Sequence, residues 1–237
     1  MLPTAPPLPG HAIIRQRWSD LVFLHWRIDP GVVAPLMPPG TRPDVDENGD
    51  SWVGLIPFVL SRSQFFPPLP AVPYFGTFVE CNVRLYSTDE AGNRGVVFRS
   101  LDAQRAIPVL TARALFGLPY QWARMSLTRT DTLEYRSQRL TGSRPSTHIV
   151  ARPGTTPVDT ALSRFLTARW GFHEGVRGHT IWARNHHEPW ELFEATLEKL
   201  DDQLLDAAGF PGLADWAPDS VLYSPGVTTV FGRPTRI

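Results

Sequence analysis

The sequence predicts a mainly β, α+β chain: an antiparallel, barrel-like sheet with a few helices packed outside it. Two observations predict this class. Short runs rich in β-branched and aromatic residues, separated by turn signals, recur along nearly the whole length. Helical spacing occurs only in three or four isolated stretches, too few to cover both faces of a parallel sheet. With no internal repeat and no Gly/Ser-rich linker, residues 11–237 are expected to form a single domain behind a flexible Pro-rich arm, residues 1–10.

Taken in order, Ala12 to Trp26 reads as strand, turn at Ser19-Asp20, strand. Asp29-Pro30 opens a short helix, an acceptor side chain followed by proline at the first helical position, and Pro38-Pro39-Gly40 ends it near residue 37. Ser51 to Leu60 is too continuously apolar for a half-exposed strand and is expected to be covered on both faces, with Pro57 marking an edge or a bulge. A proline-rich, aromatic loop follows, from Phe65 to Tyr74. Phe75 to Tyr86 and Val96 to Leu101 form a hairpin around a polar turn containing Gly92. Arg105 to Phe116 reads as a helix closed by Gly117 and stopped by Pro119.

Tyr120 to Thr130 and Thr132 to Thr141 make another hairpin, and Thr147 to Arg152 a further strand. Val158, Leu162, Phe165, Leu166 and Trp170 recur at helical spacing, which predicts a helix over Pro157 to Trp170. Phe172 to His186 folds back around Gly175 to Gly178, and Val221 to Phe231 is the closing strand. Glu191 to Leu205 fits either period.

Composition excludes several classes. The 23 basic and 23 acidic residues balance and form no block, so neither nucleic acid nor an anionic membrane is an expected partner. The single cysteine, Cys81, allows neither an internal disulfide nor a cysteine metal cluster, and a reducing, cytoplasmic setting is expected. The Pro-rich start, with no cationic stretch before an apolar run, makes a signal peptide unexpected, and no apolar run of about 20 residues is present. Nucleotide-binding loops, the hydrolase elbow and the zincin motif are absent, and no cofactor is expected.

The segment Arg113-Ala114-Leu115-Phe116-Gly117-Leu118-Pro119-Tyr120-Gln121 resembles the Arg-Glu-x-x-Gly-Phe-Pro-Lys-Lys stretch of acetoacetate decarboxylases. There the first lysine forms a Schiff base and the second lowers its pKa. Arg113, Gly117 and Pro119 match, whereas Tyr120 and Gln121 replace both lysines. Gln16 to Leu21, Ser100 to Ala103 and Tyr223 to Val227 are similar to the YqjF-like family of that superfamily. The resemblance implies a cone-shaped β-barrel with a cavity, a strand before a short helix over Glu191 to Ala208, and room for a homo-oligomer, since decarboxylases of this fold form large assemblies. The only lysine, Lys199, lies among charged residues, so imine chemistry is not expected.

Glu80 is the most informative charge. By pattern it is an outward carboxylate paired with Arg84; by resemblance it is a pocket glutamate, which burial would keep protonated near neutrality. Tyr120, in the nucleophile's place, either hydrogen-bonds a ligand or fills space. Glu80 and Tyr120 are the candidate catalytic pair. Arg113, Gln121 and Trp122, from the matching segment, with His25 and Trp26, complete the candidate ligand-binding set, although His25 and Trp26 also read as core residues. Asp102 either orients a pocket group or caps the helix at Arg105. His186 and His187 are neighbours on a strand and face opposite ways, so no metal site is expected. The expected partner is a small organic molecule with a carbonyl or carboxylate. The chain then either isomerises, cyclises or hydrates it without a covalent intermediate, or binds or senses it with no turnover.

Overall fold

In the computed structural model, residues 4–67, 77–104 and 117–237 are described. Their strands form one sheet: β1 (Ile14–Ile28), β2 (Thr41–Pro43), β3 (Ser51–Phe65), β4 (Thr77–Asp89), β5 (Arg94–Ala103), β6 (Tyr120–Arg129), β7 (Leu133–Arg139), β8 (Ser146–Pro157), β9 (Gly171–Val176), β10 (His179–His187), β11 (Phe193–Asp202), β12 (Ser220–Phe231) and β13 (Thr235–Arg236). The sheet closes on itself twice. One ring of hydrogen-bonded strands runs β5-β4-β3-β1-β12-β10-β9 and back to β5; the other leaves β5 through β6, β7, β8 and β11 and returns at β12. The ladders are antiparallel except for β5–β6 and β5–β9. The mainly β, ring-closed architecture agrees with the fold class read from the sequence.

Because β12, β1, β3, β4 and β5 belong to both rings, each has packing on both faces. This explains why every residue of Ser51 to Leu60 is buried. On one side Val22, Leu24 and Trp26 of β1 meet Val53, Leu55, Cys81, Val83, Met125 and Ile149. On the other, Leu21 and Phe23 meet Ile56, Phe58, Leu60, Phe78 and Trp190. Strand alternation alone assigns each residue to its side.

Ser19-Asp20 is a correction to the sequence reading. It is no turn: β1 runs straight through it as a bulge, with Asp20 at φ 55°. The β1–β3 register passes from Ser19 opposite Val59 to Leu24 opposite Leu55, and Pro57 falls inside that gap, where an interior strand tolerates a missing N–H. The bulge is anchored, since Tyr135 Oη donates to the Asp20 carbonyl and Arg129 to its carboxylate. β8 extends to Pro157, so the helix expected over Pro157 to Trp170 is shorter, Ala161–Thr167, started by a reciprocal cap between Thr160 and Ser163.

Asp29 caps the helix at Pro30–Val33 by accepting from Gly31 N at 2.6 Å. Glu191 to Ala208 resolves into strand β11 and then a helix, Leu204–Ala207. The helix expected over Arg105 to Phe116 and most of the proline-rich loop lie outside the described residues. Gly117 has φ +69°, the left-handed conformation expected of it. In the N-terminal arm, residues 4–10 have no regular element, yet Ala5 is buried and the Pro6 carbonyl lies 3.2 Å from His186 Nδ1. No helix among the described residues is long and apolar enough to cross a membrane.

Candidate functional site

The first ring encloses a cavity of about 100 Å³, lined by residues of nearly every one of its strands. β4 contributes the chemistry. Glu80, Asn82 and Arg84 alternate with Val79, Cys81 and Val83, so the polar set faces the cavity while the apolar set faces the second core. Trp18, Leu21, Ile56, Phe58 and Phe172 supply apolar wall, and Tyr120 enters from the start of β6. A larger groove of about 1020 Å³ crosses the outside, along Asp46, Arg94, Phe165 and Trp182. Glu80 and Tyr120 line the smaller, interior space and not this groove, so the candidate chemistry belongs to the interior.

Within it, Tyr120 Oη donates to Glu80 Oε2 at 3.2 Å. Glu80 is 3% exposed and no arginine or lysine among the described residues pairs with it, so burial pushes its carboxyl up to about 8; the bond from Tyr120 opposes the shift and the charge of Asp102 adds to it. Burial and the Glu80 charge likewise raise the Tyr120 phenol well above its usual range. At neutral pH the pair therefore carries two protons, one on each oxygen acid. Only one is used between them, leaving the Glu80 O–H to donate elsewhere.

The linkage has a sign. Glu80 holds its proton more tightly folded than unfolded, so the stability it contributes is fully present below about pH 4.5 and is lost as pH rises through about 8. Glu80→Gln, which cannot ionise, should flatten that loss. Urea midpoints between about pH 5 and about pH 9 should fall for the wild type and change less for the variant; parallel profiles would mean that Glu80 is ionised throughout.

His187 also lines the cavity, between Trp170 at 4.8 Å and Trp190 at 4.9 Å. Its Nδ1 donates to the Glu188 carbonyl at 2.7 Å, which leaves Nε2 as an acceptor, and burial lowers the ring's pKa to about 4. Arg84, Arg169 and Asn185 complete the polar lining.

The remaining candidates disperse. His25 lies on the cavity side of β1 but behind the wall: it is fully buried, and Nε2 sits 2.6 Å from Tyr86 Oη, which in turn accepts from Arg84 Nε at 3.1 Å. Trp26, one residue on, faces the other core and donates to the Trp216 carbonyl, so strand alternation removes it from the cavity. Gln121 points away from Tyr120 for the same reason, its amide reaching the Pro119 carbonyl at 3.5 Å. Trp122 is 46% exposed and does not line the cavity. Arg113 lies outside the described residues. Asp102 gives both oxygens to Arg139, at 2.8 to 3.1 Å, instead of orienting a pocket group. His186 and His187 do face opposite ways, and no metal-ligating group of three appears among the described residues.

A serine, a histidine and an aspartate also converge: Ser87 Oγ lies 2.8 Å from His173 Nδ1, and Asp89 Oδ2 lies 3.5 Å from His173 Nε2. Ser87 is fully buried and lines neither the cavity nor the outer groove, so no substrate carbonyl reaches it. The trio cross-links β4 to β9.

The sequence pattern of the DUF2071 family, described as an uncharacterized conserved protein, matches residues 15–228. YqjF of Bacillus subtilis (strain 168) is 34% identical over 206 residues, covering 84% of this chain and 83% of YqjF. The chain belongs to the DUF2071 family. Among solved structures it is similar to the enduracididine biosynthesis enzyme MppR complexed with pyruvate, at TM-score 0.63 and 14% identity over 96% of this chain and 91% of the other. An acetoacetate decarboxylase from Legionella pneumophila aligns at TM-score 0.63 and 14% identity, over 98% and 91%. An acetoacetate decarboxylase-like enzyme from Sphingomonas wittichii RW1 gives 0.64 and 13%, over 96% and 94%. At these identities the likeness is one of fold, acetoacetate decarboxylase-like. In this DUF2071 chain, Asn82, Arg84, Arg169, Asn185, His187 and Trp190 line the cavity without having been read as pocket residues in the sequence. For Asn82 and Arg84 a signal existed, the period-two run with Glu80; the others reach the cavity only through ring closure.

Proposed function

We propose that the chain binds a compact, partly apolar carbonyl or carboxylate compound in the interior cavity and acts on it without a covalent intermediate, as an isomerase, cyclase or hydratase. The Glu80–Tyr120 pair carries this reading. A ligand carbonyl placed against it accepts a hydrogen bond from the protonated carboxyl and, once the phenol turns its O–H from Glu80 to the ligand, a second from Tyr120; Glu80 then lends its proton to the oxygen as charge builds there and recovers it on release. Tyr120 and Gln121 occupy the positions of the two lysines of the decarboxylase pattern, and the only lysine, Lys199, is on β11, so no amine is available for an imine. A cavity of about 100 Å³ holds roughly the space of three waters, which restricts the occupant to a few heavy atoms. The pyruvate named with the MppR structure is a compound of that kind.

The test is a double-mutant cycle with acetone as the carbonyl probe, followed by ligand-observed NMR. Glu80→Gln and Tyr120→Phe should each weaken binding by roughly five- to a hundredfold, the range for one lost bond in a water-poor site, and the double variant should lose less than the combined amount. Wild-type binding should decline as pH rises past about 8, while Glu80→Gln loses that dependence. Additive losses at every pH, or no loss from either change, would separate the two side chains from a shared ligand and defeat the reading.

A further inference from the structure

The cavity wall contains more positive charge than the protein neutralises. Arg84, four residues along β4 from Glu80, donates from Nε to Tyr86 Oη and from Nη2 to the Leu166 carbonyl at 3.2 Å. Arg169 is 5% exposed; its Nε donates to the Phe165 carbonyl at 2.8 Å, its Nη1 pairs with Asp44, and its buried Nη2 has no partner among the described residues. The two guanidinium carbons lie 5.4 and 4.8 Å from the centre of the Tyr86 ring, so both cations gather around one side chain. Asp44 is already shared with Arg94, at 2.7 Å. Glu80, the only carboxylate among the described residues that line the cavity, pairs with neither arginine. Residues 1–3, 68–76 and 105–116 contain no Asp or Glu, so no segment outside the described residues could supply one.

A structural role accounts for part of this. The two arginines satisfy the last carbonyls of the helix Ala161–Thr167, as basic side chains do at helix ends. Neutral carbonyls do not cancel a full charge in a water-poor interior, and the free Nη2 of Arg169 has no part in that cap. Asn82 and Asn185 line the same cavity, each with a buried amide oxygen unpartnered among the described residues, and an amide turned over presents N–H there instead. Arg84 is also held in place beforehand, through Tyr86 and fully buried His25, so binding an anion orders little that is loose.

We propose that Arg84 and Arg169 form a carboxylate subsite, so that the natural occupant is a compact monocarboxylic acid whose anion lies against the two guanidiniums and whose carbonyl end extends toward Glu80 and Tyr120. This rests on the interior cavity being the ligand site, as the functional reading above holds. It adds a charge requirement that the acid–base pair does not impose.

Propionate and propionamide, nearly equal in shape and different in charge, test it by the same NMR titration. The wild type should bind propionate at least about tenfold more tightly than propionamide, the scale of a hydrogen bond to a charged group. Arg84→Gln, checked by circular dichroism, should abolish the preference. Arg84→Lys should keep part of it, and it serves as the working variant if the glutamine form does not fold. Equal affinity for the two probes in the wild type, a preference that survives in folded Arg84→Gln, or inorganic phosphate binding as tightly as propionate would each overturn the carboxylate subsite. The two readings fail separately. Acetone binding that responds to Glu80→Gln and Tyr120→Phe beside an absent propionate preference sinks the subsite alone, and the reverse pattern sinks the acid–base pair alone.

Discussion

Replacing Gly226 by alanine should remove most of the folded population. Gly226 sits on β12 opposite Ser19, at φ +111°, a conformation that side chains with a Cβ rarely adopt. A Cβ there would overlap the Trp18 carbonyl oxygen and lie 2.7 Å from Ser19 Cα. Both are backbone atoms of the bulged stretch of β1, so neither can swing aside as a side-chain tip would. Left-handed strain and a backbone clash combine, and the expected loss is about 4 kcal/mol or more, a large part of a typical 5–15 kcal/mol total. The same displacement would move Trp18 and Leu21, two walls of the cavity. Urea melts and far-ultraviolet circular dichroism decide it. A variant within about 1 kcal/mol of the wild type would mean that β12 stands further from β1 than described here.

Arg139→Met is the second change with a large expected effect, because it strands a buried charge. Asp102 is fully buried, and Arg139 meets both of its oxygens through Nε and Nη2. Removing one partner of such a pair typically costs about 3–5 kcal/mol, since the remaining carboxylate loses its compensation without regaining water. Burial already raises the Asp102 carboxyl against the pull of Arg139, and without the guanidinium it rises further. A raised acid contributes stability at pH below its unfolded value and loses it as pH climbs through the folded one. The deficit of Arg139→Met should therefore be smaller near pH 5 than near about pH 8, and Asp102→Asn added to it should recover part of the loss at the higher pH.

This pair has a link to function. β5 and β6 share only three register positions, Leu101 with Tyr120, Asp102 with Gln121 and Ala103 with Trp122. Arg139, on β7, clamps the middle one, and Tyr120 is delivered to the cavity by the same short contact. Loss of acetone binding in folded Arg139→Met, with Glu80 and Tyr120 intact, is the expected companion result. A deficit that does not vary with pH, or one under about 1 kcal/mol, would mean that Asp102 is neutral in the wild type.

Much of the local structure follows from the sequence by itself, because it depends on neighbours in the chain. Alternating apolar runs fix the strands, Asp29-Pro30 starts its helix, and Gly92 lies in the turn that joins β4 to β5. That Tyr120 and Gln121 stand in place of the decarboxylase lysines, with Lys199 the one lysine of the chain, is legible before any fold is considered. The unbroken apolar run from Ser51 to Leu60 even signals burial on both faces. Which face meets the cavity is a different matter. Glu80, Asn82 and Arg84 make the pattern of a solvated strand face, and only closure of two rings around a shared set of strands turns that face inward. The same closure places His25 behind the wall and Trp26 in the opposite core, and it brings Arg169, Asn185 and His187 to within reach of β4 from about a hundred residues away. Period-two alternation gives two faces but not their surroundings; ring closure, a long-range event, decides which face is dry, which charge goes without a counterion and where a ligand fits.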